Sequence, residues 1–352
     1  MRFLCVILAG LALSACTKNS EKTPTQASPG GGVVHMATWS NYISEEAFAA
    51  FTQETGIQVK VSNYSSNEEL LAKLQAGASG YDVAVPSDYM VFAMIQLQLL
   101  LPLDVQKIPN RKGVDPRYLG KQYDPESKFS LPWNWGTTGI AVNRKLYKGK
   151  IKSWKDLFTQ ADLAGQFTLL DDAREVMGAS LKSLGYSLNS TQPEEIEKAK
   201  VQLAAIKSRV KAFTSEAKVP MEQGEVAVAH IYMSDALQAA RSAGSHIEYL
   251  IPEEGATLWI DNLVVPKGAA NVDGAHRLIN FLLKPEIAAK TVKAVLVAPT
   301  LQGIGQYLDP SLRTNPVIFP APASMKRLEM MHDLGDALRL YDRAWTEIKA
   351  GQ

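Results

Sequence analysis

From Val33 onward the chain alternates strand-like and helix-like segments, and this rhythm limits what it can fold into more than any other feature. "VVHMAT" reads as a strand, "SEEAFAAFTQETG" as a helix closed by Gly56, "IQVKVSNY" as an alternating strand, and "SNEELLAKLQAG" as a helix ending at Gly77. "YDVAVP" reads as a further strand. The same order restarts in "QFTLLDDAREVMGASLKSLG", a strand from Gln166 into a helix, and in "VAVAHIYMSDALQAARSAG", a strand from Val226 into another. Strands separated by helices pack as α/β sheets with crossover connections. Two such blocks in 352 residues predict two α/β lobes. No internal repeat of fixed period is found.

The N-terminus precedes this pattern and differs from it. Arg2 leads an apolar run from Phe3 to Leu13, too short for a mature membrane span and suited to a secretory signal. The run ends in Leu13-Ser14-Ala15-Cys16, which resembles the bacterial lipobox, so residues 1–15 are expected to be a signal peptide and Cys16 the lipidated residue. Cys5 then leaves with the signal, and the mature chain has no thiol for a disulfide, a thiolate metal site or cysteine catalysis. Residues 16–32 are rich in Ser, Thr, Pro and Gly, as a flexible spacer between anchor and folded body is. With 37 basic and 36 acidic residues, nothing in the charge balance calls for nucleic acid. Selectivity has to come from a local site.

In open α/β sheets that site lies beyond the carboxyl ends of the strands. Trp39, Ser40, Asn41 and Tyr42 follow the first strand; Ser87, Asp88 and Tyr89 follow "YDVAVP"; Asp171, Asp172 and, a turn later, Glu175 follow "QFTLL"; Tyr232, Ser234 and Asp235 follow "VAVAHI". The stretch "LWID" adds Trp259 and Asp261, which strand alternation puts on one face while Leu258 and Ile260 face the other layer. Aromatic rings beside carboxylates suit a cation, through cation–π attraction and charge-assisted hydrogen bonds. Each group also has a plainer reading. Asp172 to Glu175 has capping-box spacing, Ser87 to Tyr89 suits a turn, Tyr42 and Tyr232 suit the edge of a core, and Asp235 suits a solvated or capping position.

Catalytic constellations do not emerge. The five histidines, His35, His230, His246, His276 and His332, lack metal-ligand spacing, so no metal and no cofactor is expected. There is no nucleophile elbow and no phosphate-binding glycine loop. Asp172 and Glu175 share one helical turn and so do not flank a glycosidic bond from opposite sides. The chain is not expected to be an enzyme.

"ATWSNYI", "YDVAVPSDY", "LLDDAREVMGASLKSLGYS", "MEQGEVAVAHIY", "LWIDNLVVPKGA" and "LINFLLKPEIA" closely resemble the spermidine/putrescine-binding proteins of bacterial ABC transporters, in consistent order from Val33 to the C-terminus. The resemblance implies a two-lobed periplasmic-binding fold, type II-like, with polyamine in the interlobe cleft. Lobe one is expected over residues 33–138 and 257–308, and lobe two over 139–256 and 309–352. Carried over by position, Trp39, Tyr42, Ser87 and Tyr89 match first-lobe ligand contacts, Asp172 and Glu175 match carboxylates that bind ligand nitrogens, and Trp259 and Asp261 match an aromatic wall and an amine anchor. Tyr232 stands where the family often has Trp, while Asp88 and Asp235 join the expected ligand-binding set. Trp133 and Trp135 are expected as hinge or core packing.

Three positions depart from the family pattern: Ala298 replaces an aromatic residue, Met331 an amide, and Asp235 a small polar residue. They leave the preferred amine open among a shorter diamine, agmatine and spermidine. The implied partners are the polyamine, the permease subunits of an ABC transporter, and the membrane through the N-terminal lipid. The protein is expected on the extracytoplasmic or periplasmic side, as a monomer without nucleic acid. An alternative reading makes it a lipoprotein that reports polyamine to a membrane sensor.

Overall fold

The computed structural model of the chain describes residues 32–77 and 80–351. The signal, Cys16 and the spacer to residue 31 lie outside the described residues. In chain order the first part holds β1 (Val33–Trp39), α1 (Glu45–Thr55), β2 (Gln58–Tyr64), α2 (Asn67–Gln75), β3 (Val83–Ala84), α3 (Asp88–Gln96) and the long β4 (Ser130–Asn143). The middle holds α4 (Trp154–Thr159), β5 (Phe167–Leu169), α5 (Ala173–Ser183), α6 (Pro193–Ile206), β6 (Val210–Phe213), α7 (Lys218–Glu222), β7 (Val228–Tyr232), α8 (Met233–Ala243) and β8 (Ile247–Leu250). The last part holds β9 (Thr257–Val264), α9 (Val272–Leu282), α10 (Pro285–Val295), β10 (Ala298–Pro299), α11 (Pro310–Arg313), α12 (Pro322–Met325), β11 (Glu329–Met330) and α13 (Leu338–Ala350).

Local chemistry sets the helix ends. The hydroxyls of Ser44 and Ser66 accept the backbone N–H groups of Ala47 and Glu69, three residues on, and so cap α1 and α2. Gly56 ends α1 at φ 73°, a left-handed backbone that a side chain would strain. "YDVAVP" forms only a two-residue strand. Pro86 has no N–H to extend the ladder, and the Val85 carbonyl accepts from the side chains of Trp39 and Tyr64 instead.

The strands join in the order β2-β1-β3-β9-β4-β7-β5-β6, with β8 and β10 also on β4 and β11 on β9. Strand β4 makes this sheet continuous. Residues 130–137 pair with β9, and residues 138–143 pair with β7 and β8. Each half is covered on both faces. Around β1 the cores contain Met36, Phe51 and Leu278 under α1, α9 and α10, and Leu70, Met90 and Met94 under α2 and α3. Around β5 and β7 they contain Trp154, Phe167, Val176 and Tyr341 under α4, α5, α6 and α13, and Met221, Ile231 and Ala236 under α7 and α8. Two α/β lobes thus share β4 and β9. Trp133 lies in the first-lobe core and Trp135 in a small cluster with Ile260, Leu296 and Ala298 where the lobes join, as the packing expectation for both has it. Among the described residues no helix is long and apolar enough to cross a membrane.

Candidate functional site

Because β1 and β3 run parallel in one lobe and β5 and β7 run parallel in the other, the chain leaves both parallel sets at their carboxyl ends. Those ends meet at one cleft with about 800 Å³ of free space, open solvent at its entrance included. Trp39, Tyr42, Ser87, Asp88, Tyr89, Asp172, Glu175, Tyr232, Asp235, Trp259 and Asp261, all the residues expected at a ligand site, line it. Among the described residues no Lys, Arg or His lines it. The size suits a small organic ligand.

The first-lobe end is built on "LWID". As alternation predicts, Trp259 and Asp261 face the cavity while Leu258 and Ile260 enter the cluster around Trp135. Asp261 is 4% exposed, and the Ser87 hydroxyl donates to its Oδ1 at 2.8 Å. The Tyr42 hydroxyl lies near the same carboxylate without reaching hydrogen-bond geometry. Burial pushes Asp261 up to about 7, against the pull of Tyr42 and Ser87. Asp88, at the start of α3, accepts the Tyr89 N–H at Oδ1, while its buried Oδ2 has no partner. Burial pushes this carboxyl up to about 8. Ser87 precedes α3 but spends its hydroxyl on Asp261 and makes no side-chain cap bond.

The Trp259 ring rests on a strand position that only glycine leaves open. A Cβ at Gly136 stands 2.4 Å from the ring. Gly136→Ala is therefore expected to displace the indole and weaken ligand binding by about two- to thirtyfold, the scale of a lost aromatic or cation–π contact. Calorimetric titration with intrinsic fluorescence checks this, and an unchanged affinity refutes it.

At the second-lobe end Asp172 caps α5, its Oδ1 accepting the Glu175 N–H at 3.0 Å. The capping box is only half made. Instead of reaching back, the Glu175 carboxylate accepts Thr138 Oγ1 at 2.9 Å and Thr257 Oγ1 at 2.8 Å, one from β4 and one from β9. Burial, then the Asp172 charge, pushes Glu175 up to about 8, and burial raises Asp172. Asp171 points away and pairs with Lys349.

A third acidic position follows the ligand-site expectation and not its plainer reading as a solvated or capping residue. Asp235 is not solvated; it is 9% exposed on the first turn of α8, makes no cap bond and faces the cavity. Burial and then Glu216 push it up to about 7. Tyr232 ends β7 and packs against the cores of both lobes. Tyr42 is core and wall at once, set edge-on to Trp133 and Trp259. Met331 lines the cavity, whereas Ala298 pairs with Trp135 and does not. Tyr64, Ser65, Asn67, Ser215, Glu216 and Thr257 also line it and escaped the sequence reading. Tyr64 ends β2 and Ser65 and Asn67 follow it, so the strand-end rule finds them once applied to every strand. Among the described residues no cluster of His, Cys, Asp and Glu is arranged to hold a metal ion.

Burial raises the carboxyls of Asp88, Asp172, Glu175, Asp235 and Asp261 above the ordinary carboxylate range. A bound cation reverses this, because it favours the ionised form.

Residues 46–320 match the family described as bacterial extracellular solute-binding protein. The chain is 36% identical over 322 residues to the spermidine/putrescine-binding periplasmic protein of Escherichia coli K12, covering 91% of this chain and 92% of that one. It is 35% identical over 329 residues to a putrescine/cadaverine-binding protein of Pseudomonas aeruginosa PAO1, covering 90% and 93%. Among solved structures, a spermidine/putrescine ABC transporter substrate-binding protein from Streptococcus pneumoniae superposes with a TM-score of 0.77 at 33% identity, over 91% of this chain and 99% of that one. The architecture is thus that of the periplasmic binding proteins.

Proposed function

The chain belongs to the bacterial extracellular solute-binding protein family, and from that premise we propose that it captures a protonated polyamine in the interlobe cavity and delivers it to a membrane permease. Members of this family bind substrates and are not enzymes, and its periplasmic relatives support an extracytoplasmic location. The carrying observation is the cavity wall itself, where six carboxylates, of Asp88, Asp172, Glu175, Glu216, Asp235 and Asp261, meet six aromatic side chains, of Trp39, Tyr42, Tyr64, Tyr89, Tyr232 and Trp259, without a basic side chain.

Asp261 anchors one ammonium, and Asp172 with Glu175 anchors another. Trp39, Trp259 and Tyr232 cover the methylene chain between them and exclude water, which strengthens both pairings. Without such partners each buried ammonium carries a large desolvation cost. Asp235 and Asp88 add negative potential. The two lobes, 33–138 with 257–308 and 139–256 with 309–352, close on the ligand by bending the strands they share. Cys16 carries a lipid that holds the monomer at the membrane. A panel of putrescine, cadaverine, agmatine, spermidine and spermine, with 1,4-butanediol as an uncharged control, tests this by calorimetry. Saturable binding of an amine and none of the diol is the expected result; binding of the diol, or of no amine, refutes the reading.

The raised carboxyls fix a pH dependence. In the free cavity Asp261 titrates at about 7 and Glu175 at about 8, and a bound ammonium lowers both. The protons therefore leave on binding, and affinity falls as pH drops through 8 and 7. Between pH 8 and pH 6 the Kd is expected to weaken by at least about tenfold, the linkage expected of a single group crossing its pKa. The calorimetric enthalpy should also vary with the ionisation heat of the buffer, and a Kd that is flat over this range contradicts the assignment.

A further inference from the structure

Arg174 follows the Asp172 cap and is 3% exposed, yet it does not line the cavity. Its guanidinium is fixed from lobe two. Nη1 and Nη2 both donate to the His332 carbonyl at 3.2 Å, Nη2 donates to Asn189 Oδ1 at 3.1 Å, and the Tyr341 ring of α13 lies 5.4 Å away. Asn189 in turn accepts the His332 N–H and donates to the Met330 carbonyl, so the mount is rigid. The other ring at the guanidinium belongs to the opposite lobe: Tyr89 of α3, at 5.5 Å.

Tyr89 is held just as firmly from lobe one. Its hydroxyl accepts from Asn67 Nδ2 and donates to Glu68 Oε1, both at 3.1 Å and both from α2. A guanidinium mounted on one lobe therefore meets an aromatic ring mounted on the other, a ring that also lines the cleft. We propose that Arg174 and Tyr89 form a latch that holds the cleft shut over its ligand, with Arg174 as a positioning residue that makes no contact with the ligand.

The charges beside the latch make closure depend on the cargo. Glu68 keeps part of its surface in solvent, yet loss of water around it and the nearby Asp172 push its carboxyl up to about 7. Closing thus brings a first-lobe carboxylate toward Asp172 of the second. Arg174 offsets part of that repulsion, since its charge favours the ionised form of Glu68, Asp172 and Glu175. An ammonium in the cavity offsets more. The latch thus holds more tightly when a cation is present than when none is. This rests on the reading of the cleft as a polyamine site.

The test is a double-mutant cycle on the full chain with spermidine, reading kon and koff by stopped flow. Arg174→Met is expected to raise koff at least tenfold with kon within about twofold, since a latch acts after encounter, and Tyr89→Leu, which also removes a ring from the cavity wall, is expected to raise koff at least as much. The double variant should lose no more than the worse single one, because two halves of one contact are not additive. A merely structural Arg174 lowers the melting temperature of the ligand-free protein and combines additively with Tyr89→Leu. A wild-type koff in Arg174→Met, or additive losses, overturns the latch. Wild-type protein that takes no amine overturns the polyamine reading alone. The latch is then read from interlobe distances between paired spin labels, where Arg174→Met must lower the closed fraction; identical distance distributions overturn it.

Discussion

Asp261→Asn is expected to weaken polyamine binding by about 2–5 kcal/mol, the cost of leaving one partner of a buried charge pair unpaired. That is a Kd larger by about thirtyfold to a few thousandfold. The substitution keeps the shape of the side chain and an oxygen able to accept the Ser87 hydroxyl, which sits 2.8 Å from Oδ1. It removes only the charge. The ligand-free protein should be as stable as wild type or more so, because a buried carboxyl raised to about 7 by desolvation gives way to a neutral amide. Calorimetry for the Kd and thermal unfolding for the free protein separate the two effects. An unchanged Kd removes Asp261 from the anchor role.

The second large effect concerns stability in acid. His230 on β7 is fully buried beside Trp154, with ring centroids 4.7 Å apart, and neither ring nitrogen has a hydrogen-bond partner. Burial lowers its pKa from 6.5 to about 3. The unfolded chain then takes up a proton below about 6.5 that the folded chain refuses until about pH 3. The stability this histidine contributes is complete above about 6.5 and lost as pH falls through that window. At pH 4.5 the loss is about 3 kcal/mol, two pH units below the unfolded value. His230→Leu abolishes it. Urea unfolding of both proteins at pH 8 and pH 4.5 measures the difference, which should be smaller in the variant by that amount; parallel pH profiles contradict the assignment.

His230 also shows where sequence reading stops. A lone histidine in "VAVAHIY" carries no sign of whether its nitrogens find partners, because Trp154 and the strand that buries it lie far away along the chain. Glu175 is the same case in the functional site. Its capping-box spacing was legible, but the threonines that take its carboxylate are 37 and 82 residues distant, so the box is half made for a tertiary reason. By contrast, "LWID" needed only strand alternation, and Ser44 and Gly56 marked the ends of α1 by local chemistry alone. "YDVAVP" shortened to Val83–Ala84 because proline and two side-chain donors outcompete the ladder. For Asp235 the helix N-terminus alone suits solvation or capping, and only the resemblance points to the ligand site; the packing of α8 against the other lobe, which buries it, is not readable from local spacing. Glu216 sits in a loop with no periodicity to betray it.

The Gln238 amide of α8 donates to the Asn41 carbonyl after β1 and to the Val295 carbonyl ending α10, so the lobes also touch beside Asp235, on a second side of the cavity. Ligand capture on this account is a change in the relation of two rigid halves. The carboxylates supply the attraction, the aromatic walls exclude water, and the contacts between lobes set how long the closed state lasts.

The most direct test is the structure of the protein crystallised with spermidine. An elongated ligand is expected along Trp39 and Trp259, with one nitrogen within hydrogen-bond distance of Asp261 and another within reach of Asp172 and Glu175. A cavity that stays free of amine, or an amine bound elsewhere with no nitrogen at Asp261, contradicts it.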